Sequence, residues 1–111
     1  MLARANRLTR GADYKAVVRR GRRCAGAHTV TYVSRVETDG PARFGFIVSR
    51  QVGGAVVRNS VRRRLKALCY ESLEAISPGN DIVIRALPTA ASASFADLRA
   101  DVEKCLARRP A

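Results

Sequence analysis

Hydrophobic residues recur at helical spacing near both ends of the chain. Between Gly11 and Gly21, one tyrosine and two valines share a face, cationic residues separate them, and glycine is a natural stop. Near the other end, Ser94 and Asp97 form a capping-box-like start. Phenylalanine, leucine, valine and cysteine follow at helical spacing, up to Leu106. Both segments therefore predict amphipathic helices that pack against a core.

Other segments have the composition or alternation of β-strands. His28 to Val36 is β-branched and aromatic, and Phe44 to Val52 alternates well enough to pair with it as a hairpin across the turn residues Thr38 to Ala42. Asp81 to Leu87 is an apolar run that predicts a buried strand. Arg22 to Ala27 is expected to add a further brief strand.

After Gly53 and Gly54 the apolar period changes from two to 3.6 residues. At about 100° per residue, two stripes lie side by side along a helix that ends near Ala75. The core stripe comprises Val57, Val61, Leu65, Leu68 and Ser72, and the polar stripe comprises Arg58, Asn59, Arg62, Arg63 and Lys66. The whole pattern predicts one α+β domain over residues 1–111, a small α-β sandwich with one sheet and the order αβββαβα.

Charge is distributed unevenly along the 111 residues, whose net charge is +12. Residues 1–66 hold 16 Lys or Arg against three Asp or Glu, whereas residues 67–111 hold five against six. Such an excess repels itself unless a polyanion binds, and nucleic acid is the expected partner. An anionic membrane surface fits less well, because no long helix combines a basic face with bulky Trp, Phe and Leu.

Four of the five residues in the polar stripe are cationic, and no acidic residue follows them before Glu71. A solvated helix face normally interleaves acids at i+4, so this stripe favours polyanion binding. A DNA-reading helix-turn-helix would need two adjacent helices, but strands flank this one, and we expect no DNA partner. RNA binding usually adds aromatic platforms, and Tyr14 and Tyr32 are the candidates, either for stacking or as core residues.

Few residues suit protein-based catalysis. Cys24, Cys69 and Cys105 are odd in number and form no CxxC pair, so we expect buried thiols in a reducing compartment. His28 is the only histidine, and we predict neither a metal site nor a protein nucleophile. No run approaches the roughly 20 apolar residues of a membrane span, and no signal peptide is evident. We therefore expect a soluble, cytoplasmic protein.

Four stretches resemble the protein component of bacterial ribonuclease P. Arg58 to Lys66, RNSVRRRLK, matches the family signature R-N-x-x-K/R-R-x-x-R, with lysine in the last slot. Asn6 to Gly21 resembles the family's N-terminal helix, and Phe44 to Leu68 resembles its strand, glycine turn and helix. Asn80 to Pro88 resembles the strand that follows, so the resemblance covers most of the chain in consistent order.

The resemblance implies a role in tRNA maturation. Ribonuclease P is an endonuclease that removes the 5′ leader from precursor tRNA; its RNA subunit carries the catalysis with Mg²⁺ held mainly by that RNA, and no protein catalytic residues are expected. The ribonuclease P RNA and precursor tRNA are the implied partners. The family's fold also implies a left-handed β-α-β crossover through the signature helix, whereas general packing rules favour the right-handed form.

The resemblance also assigns residues to two surfaces. The surface for the RNA subunit would comprise Arg58, Asn59, Arg62, Arg63 and Lys66. The cleft for the single-stranded leader, between the first helix and the sheet, would include or adjoin Tyr14, Val17, Val18, Tyr32 and Arg50.

The chain departs from the family pattern at four positions. Val18 stands where a second aromatic is frequent, Gln51 replaces one of two lysines, Lys66 replaces the last signature arginine, and Gly54 stands where asparagine is common. With one aromatic platform fewer, leader binding is expected to depend more on phosphate contacts than on stacking.

Two alternatives belong to other functional classes. The first is a ribosome-associated or tRNA-binding protein with no role in cleavage. The second is an autonomous metal-dependent nuclease, which needs clustered carboxylates. The second fits poorly, because the first 66 residues contain only Asp13, Glu37 and Asp39 as acids.

Overall fold

The computed structural model describes residues 2–36 and 39–107, which form one four-stranded sheet with helices on both faces. The strand order is β1-β2-β4-β3; β1 pairs with β2 and β2 with β4 antiparallel, and β3 pairs with β4 parallel. The strands are β1 (Arg22–Ala25), β2 (Thr29–Arg35), β3 (Arg43–Ile47) and β4 (Asn80–Ala86).

Three α-helices accompany the sheet: α1 (Gly11–Arg20), α2 (Ala55–Ser72) and α3 (Phe95–Ala107). Short 3₁₀ turns occur at Arg4–Asn6, Leu73–Ala75 and Pro88–Ala91. The order αβββαβα and the α+β class are thus confirmed, including the brief strand before β2. As predicted, Ser94 caps α3: the Asp97 amide donates to its hydroxyl over 3.0 Å. None of the helices in the described ranges has the length and apolar character that a bilayer crossing needs.

The predicted hairpin between the second and third strands is wrong. β4 lies between them: Ile84 pairs with Thr31 of β2 on one side and with Phe46 of β3 on the other. The physical reason is burial, because β4 is apolar on both faces along Ile82 to Ile84, and a strand of this kind gains most in the centre of a sheet. The turn predicted at Thr38 to Ala42 lies partly outside the described residues.

Because β3 and β4 are adjacent and parallel, α2 forms the connection of a β-α-β unit, as the resemblance implied. Its left-handed sense stays a prediction, as does the single-domain assignment.

Two apolar cores lie on opposite faces of the sheet. On one face, Val17 of α1 packs with Tyr32 and Val83. On the other face, side chains of β3 and β4 pack against α2 and α3, for example Phe44, Leu65 and Leu98. The sheet therefore separates α1 from α2.

The core stripe of α2 differs slightly from the predicted one. Val61, Leu65 and Leu68 are buried, as predicted, and Cys69 joins them. Val57 is instead 38% exposed and lies beside Gly53 at the start of the helix.

The cysteines correct the expectation of separate thiols. Cys24 of β1 and Cys105 of α3 form a disulfide across 81 positions of sequence, which joins the edge strand to the last helix. Cys69 is free and buried, and burial raises the pKa of its thiol well above the usual range. The spacing of the cysteines gave no signal for this pairing, since only the fold brings β1 and α3 together.

Candidate nucleic-acid interface

The helix α2 begins at a close backbone approach. At Gly53 a β carbon would lie 2.9 Å from the Val57 Cβ, so glycine allows the chain to turn tightly into the helix. The first helical bond follows, from the Arg58 amide to the Gly54 carbonyl over 2.9 Å. The turn thus positions the signature residues in the first three turns of α2.

Four of the five predicted signature residues lie together on one shallow surface, which we call the signature groove. Within it, the Arg62 Nη1 donates to the Asn59 Oδ1 over 3.1 Å, which orients the guanidinium along the helix. The groove is lined by Val56, Asn59, Arg62, Arg63 and Lys66.

Arg58 lies apart from the signature groove, half-buried at the edge of the core stripe. Its Nε is buried and has no hydrogen-bond partner among the described residues. Its assignment to the surface for the RNA subunit stays a prediction.

The positive charges of α2 are not neutralised by ion pairs within the described part of the protein. None of its arginines or its lysine forms an ion pair with another described residue, whereas Arg43 pairs with Asp13 and Asp81, and Arg99 with Glu71 and Glu103. Arg63 is exposed and Arg62 and Lys66 are partly so. Cations that reach solvent without a carboxylate partner are available to phosphates, whose neutralisation releases counterions.

A second surface lies on the other face of the sheet, where α1 leaves part of the strands uncovered. We call it the α1 groove. It combines two cations from the helix, one cation from the central strand and an apolar floor. Its lining comprises Tyr14, Lys15, Val18, Arg19, Ile47 and Arg85.

Tyr14 is held against the sheet at the side of this groove. Its hydroxyl accepts a hydrogen bond from the Phe46 amide over 3.2 Å. Its ring covers Gly45, where a β carbon would lie 2.5 Å from the Tyr14 Cζ. The ring is half-buried, so part of its surface is already engaged by β3.

The other predicted cleft residues divide between surface and core. Val18 lines the α1 groove, whereas Val17 and Tyr32 are only 1% and 7% exposed beneath it. These two support the groove from the core, so of the two interpretations of Tyr32 the burial favours the core aromatic.

Arg50 lies in a neighbouring groove that continues the first. The two grooves share Ile47 and Arg85, and the second extends along Arg50, Gln51 and Leu87 to Pro88. Together they form an open channel from α1 to the loop after β3. The structure thus brings Tyr14 and Val18 to one end of this channel and Arg50 to the other.

Sequence reasoning missed Arg85, the cation at the middle of the channel. Arg85 is the exposed residue of an otherwise buried β4, and it faces the same side as Val83, against which α1 packs. The signal was present, because a lone arginine in an apolar strand marks the position where that strand meets solvent.

Metal-ligating side chains are not clustered in the described structure. Within residues 2–36 and 39–107, no group of three or more His, Cys, Asp or Glu side chains is placed to hold a metal ion. His28 lies in the turn between β1 and β2, where its Nδ1 is 2.9 Å from the hydroxyl oxygen of Thr89.

Comparison with solved structures agrees with this architecture. The Staphylococcus aureus RNase P protein superposes with a TM-score of 0.82 at 25% identity, covering 91% of this chain and 92% of that one. The RNase P protein from Thermotoga maritima has the same fold, with a TM-score of 0.83 at 22% identity and coverage of 95% and 98%.

Sequence comparison is more specific. The chain is 51% identical to the ribonuclease P protein component of Acidothermus cellulolyticus, over 97% of this chain and 91% of the relative. It is 47% identical to that of a Nocardioides species, over 97% and 94%. The family model for ribonuclease P matches residues 2–109. The chain therefore belongs to the ribonuclease P protein family, and as a protein subunit of ribonuclease P it takes part in RNA binding and tRNA processing.

Proposed function

We propose that this protein assists the catalytic RNA of ribonuclease P in the endonucleolytic removal of the 5′ leader from precursor tRNA. The observation that carries the proposal is the presence of two cationic surfaces attached to opposite faces of one sheet. The signature groove belongs to α2, and the α1 groove lies on the other side. One small protein can thereby contact two RNAs at once.

The signature groove is assigned to the ribonuclease P RNA. Arg62, Arg63 and Lys66 lie on adjacent turns of one helix, so their backbone positions are fixed before they meet the phosphates of a structured RNA. Asn59 holds Arg62 in place through its carbonyl oxygen. This surface would make binding strongly dependent on salt.

The α1 groove and its continuation are assigned to the single-stranded leader of the precursor tRNA. Lys15, Arg19 and Arg85 offer charges along an open channel, and Arg50 extends it. Among the described residues that line the two grooves, the aromatic ring is that of Tyr14, and β3 already engages part of it. Phosphate contacts rather than stacking would therefore dominate leader binding.

The hydrolysis itself is assigned to the RNA subunit. Mg²⁺ bound by that RNA would supply the activated water, and the protein would contribute binding and charge neutralisation. The described residues lack a carboxylate cluster of the kind that two-metal hydrolysis uses.

Reconstitution tests the proposal. The purified protein, a bacterial ribonuclease P RNA and a precursor tRNA are combined at low Mg²⁺ and moderate salt, with mature tRNA as the matched control substrate. We expect the protein to increase RNA-dependent cleavage at the 5′ end of the mature sequence. No enhancement, or cleavage by the protein without RNA, would reject the proposal.

The same reactions discriminate the alternative of a ribosome-associated or tRNA-binding protein. Such a protein would bind precursor and mature tRNA equally well and would leave the rate of RNA-dependent cleavage unchanged. Preference for the precursor, together with faster cleavage, supports the ribonuclease P role.

A further inference from the structure

An exposed aromatic ring lies on α2 beyond the signature sequence. Tyr70 is 52% exposed, although it is a large side chain on a well-packed helix. It stands four residues after Lys66 and seven after Arg63, so all three share one face of the helix. The row of cations on this face of α2 thus ends at an aromatic residue.

Tyr70 is part of a recess of about 330 Å³ between α2 and the N-terminal segment. Leu2, which is 3% exposed, and Ala67 provide apolar surface. Arg7 fixes the opposite wall, because its Nε and Nη2 donate to the Leu2 carbonyl over 3.2 and 2.9 Å. The recess is therefore formed by anchored elements.

The rim of the recess is cationic. Arg7, Arg63 and Lys66 all line it. Among the described lining residues the acid is Glu71, and both of its carboxylate oxygens accept hydrogen bonds from Arg99, at 3.3 and 3.4 Å. The charge of Glu71 is thus directed towards α3, and the recess favours an occupant that is flat, apolar and surrounded by negative charge.

We propose that this recess binds one unpaired nucleotide of the ribonuclease P RNA, with its base on the Tyr70 ring and its flanking phosphates at Arg63 and Lys66. The inference rests on the proposed function, because it extends the same RNA surface. Unpaired bases that stack on exposed aromatic rings beside cations are a common mode of RNA recognition. A duplex alone has no free base to offer, so the recess selects a bulge, loop or junction.

Substitution of Tyr70 tests the base contact. Tyr70→Ala is expected to weaken binding of the RNA about 5- to 140-fold, the loss of one stacked base. Tyr70→Phe keeps the ring and is expected to bind like the unmodified protein. Tyr70→Leu keeps apolar bulk without a flat ring and is expected to bind nearly as weakly as Tyr70→Ala. Thermal unfolding of each variant verifies that the half-exposed site leaves the fold intact.

Two further readouts identify the occupant. The salt slope of Tyr70→Ala should equal that of the unmodified protein, because no cation is removed. Chemical probing of the RNA bases should show a nucleotide that the unmodified protein and Tyr70→Phe protect and Tyr70→Ala leaves reactive.

Several results would overturn the inference while the proposed function stands. These are equal RNA affinity for all three variants, full affinity of Tyr70→Leu, or a change in self-association without a change in RNA affinity. The last would identify the recess as a contact between copies of this chain. Failure of the unmodified protein to bind ribonuclease P RNA would instead reject the proposed function itself.

Discussion

At the scale of single residues, the arginines differ in whether a carboxylate holds them. Arg43 donates two hydrogen bonds to Asp81, at 2.9 and 2.7 Å, and lies 3.9 Å from Asp13. The hydrogen bond to Asp81 is the main cause that raises the pKa of the Arg43 guanidinium. Arg62, in contrast, contacts a neutral amide. Arg43 thus serves the fold, and Arg62 is available to an external anion.

Arg62→Ala should weaken binding of the ribonuclease P RNA and reduce the slope of log affinity against log salt by about one. The reason is the loss of one phosphate contact in the signature groove. Filter binding or fluorescence anisotropy over a series of salt concentrations measures both quantities. Lys104→Ala removes an exposed cation from α3 and serves as the control. An unchanged slope in Arg62→Ala would mean that this side chain is only a solvated charge.

The pair Arg43–Asp81 predicts unequal costs for its two truncations. Asp81 is 4% exposed, so Arg43→Ala leaves a carboxylate without its counter-ion and should cost about 3–5 kcal/mol of unfolding free energy. The Arg43 side chain is 38% exposed and can reach water, so Asp81→Ala should cost only about 1–3 kcal/mol. Urea unfolding of both variants measures the difference. Equal costs would contradict the assignment of the buried charge to Asp81.

At the scale of elements, Tyr14 adds a contact with β3 to the packing of Val17 of α1 against Tyr32 and Val83. The Tyr14 ring fills the space over Gly45 of β3, and the Phe46 amide donates to the Tyr14 hydroxyl. Because glycine has no side chain, the Tyr14 ring can lie directly on the β3 backbone. The side of the α1 groove next to β3 is therefore formed by this contact.

Gly45→Ala should displace the Tyr14 ring and reduce stability by about 1–3 kcal/mol, the usual cost of overpacking. We also expect weaker binding of a leader oligonucleotide, because α1 would shift away from β3. Binding of the ribonuclease P RNA through α2 should stay unchanged and provides the internal control. Loss of both affinities together would indicate general unfolding instead.

Local pattern predicted the elements better than their pairing. The period of 3.6 predicted α2 and its two stripes, and Ser94 predicted the start of α3, because these signals lie within a few residues of each other. The placement of β4 between β2 and β3 depends on contacts between segments distant in sequence. The turn residues at 38–42 carry no information about these contacts. The Cys24–Cys105 pairing and the Tyr70 recess likewise depend on elements distant in sequence.

For the candidate site too, the sequence predicted features within one element better than features that depend on tertiary packing. The spacing of Asn59, Arg62, Arg63 and Lys66 alone predicted that they share one face. The cleft residues required the tertiary structure, because burial separates Val17 and Tyr32 from Tyr14 and Val18.

At the scale of the whole molecule, the sheet holds the two cationic surfaces apart. The signature groove and the α1 groove belong to helices on opposite faces, so binding at one leaves the other open. On the proposed function, this arrangement would connect the ribonuclease P RNA to the single-stranded leader of the precursor tRNA.

This arrangement predicts a dependence on leader length. With the protein present, a precursor with a long leader should bind the RNA–protein complex more tightly than one with a single-nucleotide leader. The RNA subunit alone should bind both precursors with similar affinity, because the α1 groove is absent. Dissociation constants for the two precursors, with and without protein, measure the effect. If the protein increased the affinity for both precursors equally, the α1 groove would have no role in substrate recognition.

The central place of β4 also affects how the chain folds during synthesis. β4, which lies between β2 and β3 in the sheet, is the last of the four strands to be made. It follows the strongly basic segment formed by residues 1–66. A ribosome adds about 5–20 residues per second, and domains complete their folding only when their central elements are available. For that interval we expect the nascent chain to be a polycation with an incomplete sheet, whose basic segment is open to cellular RNA before the fold is complete.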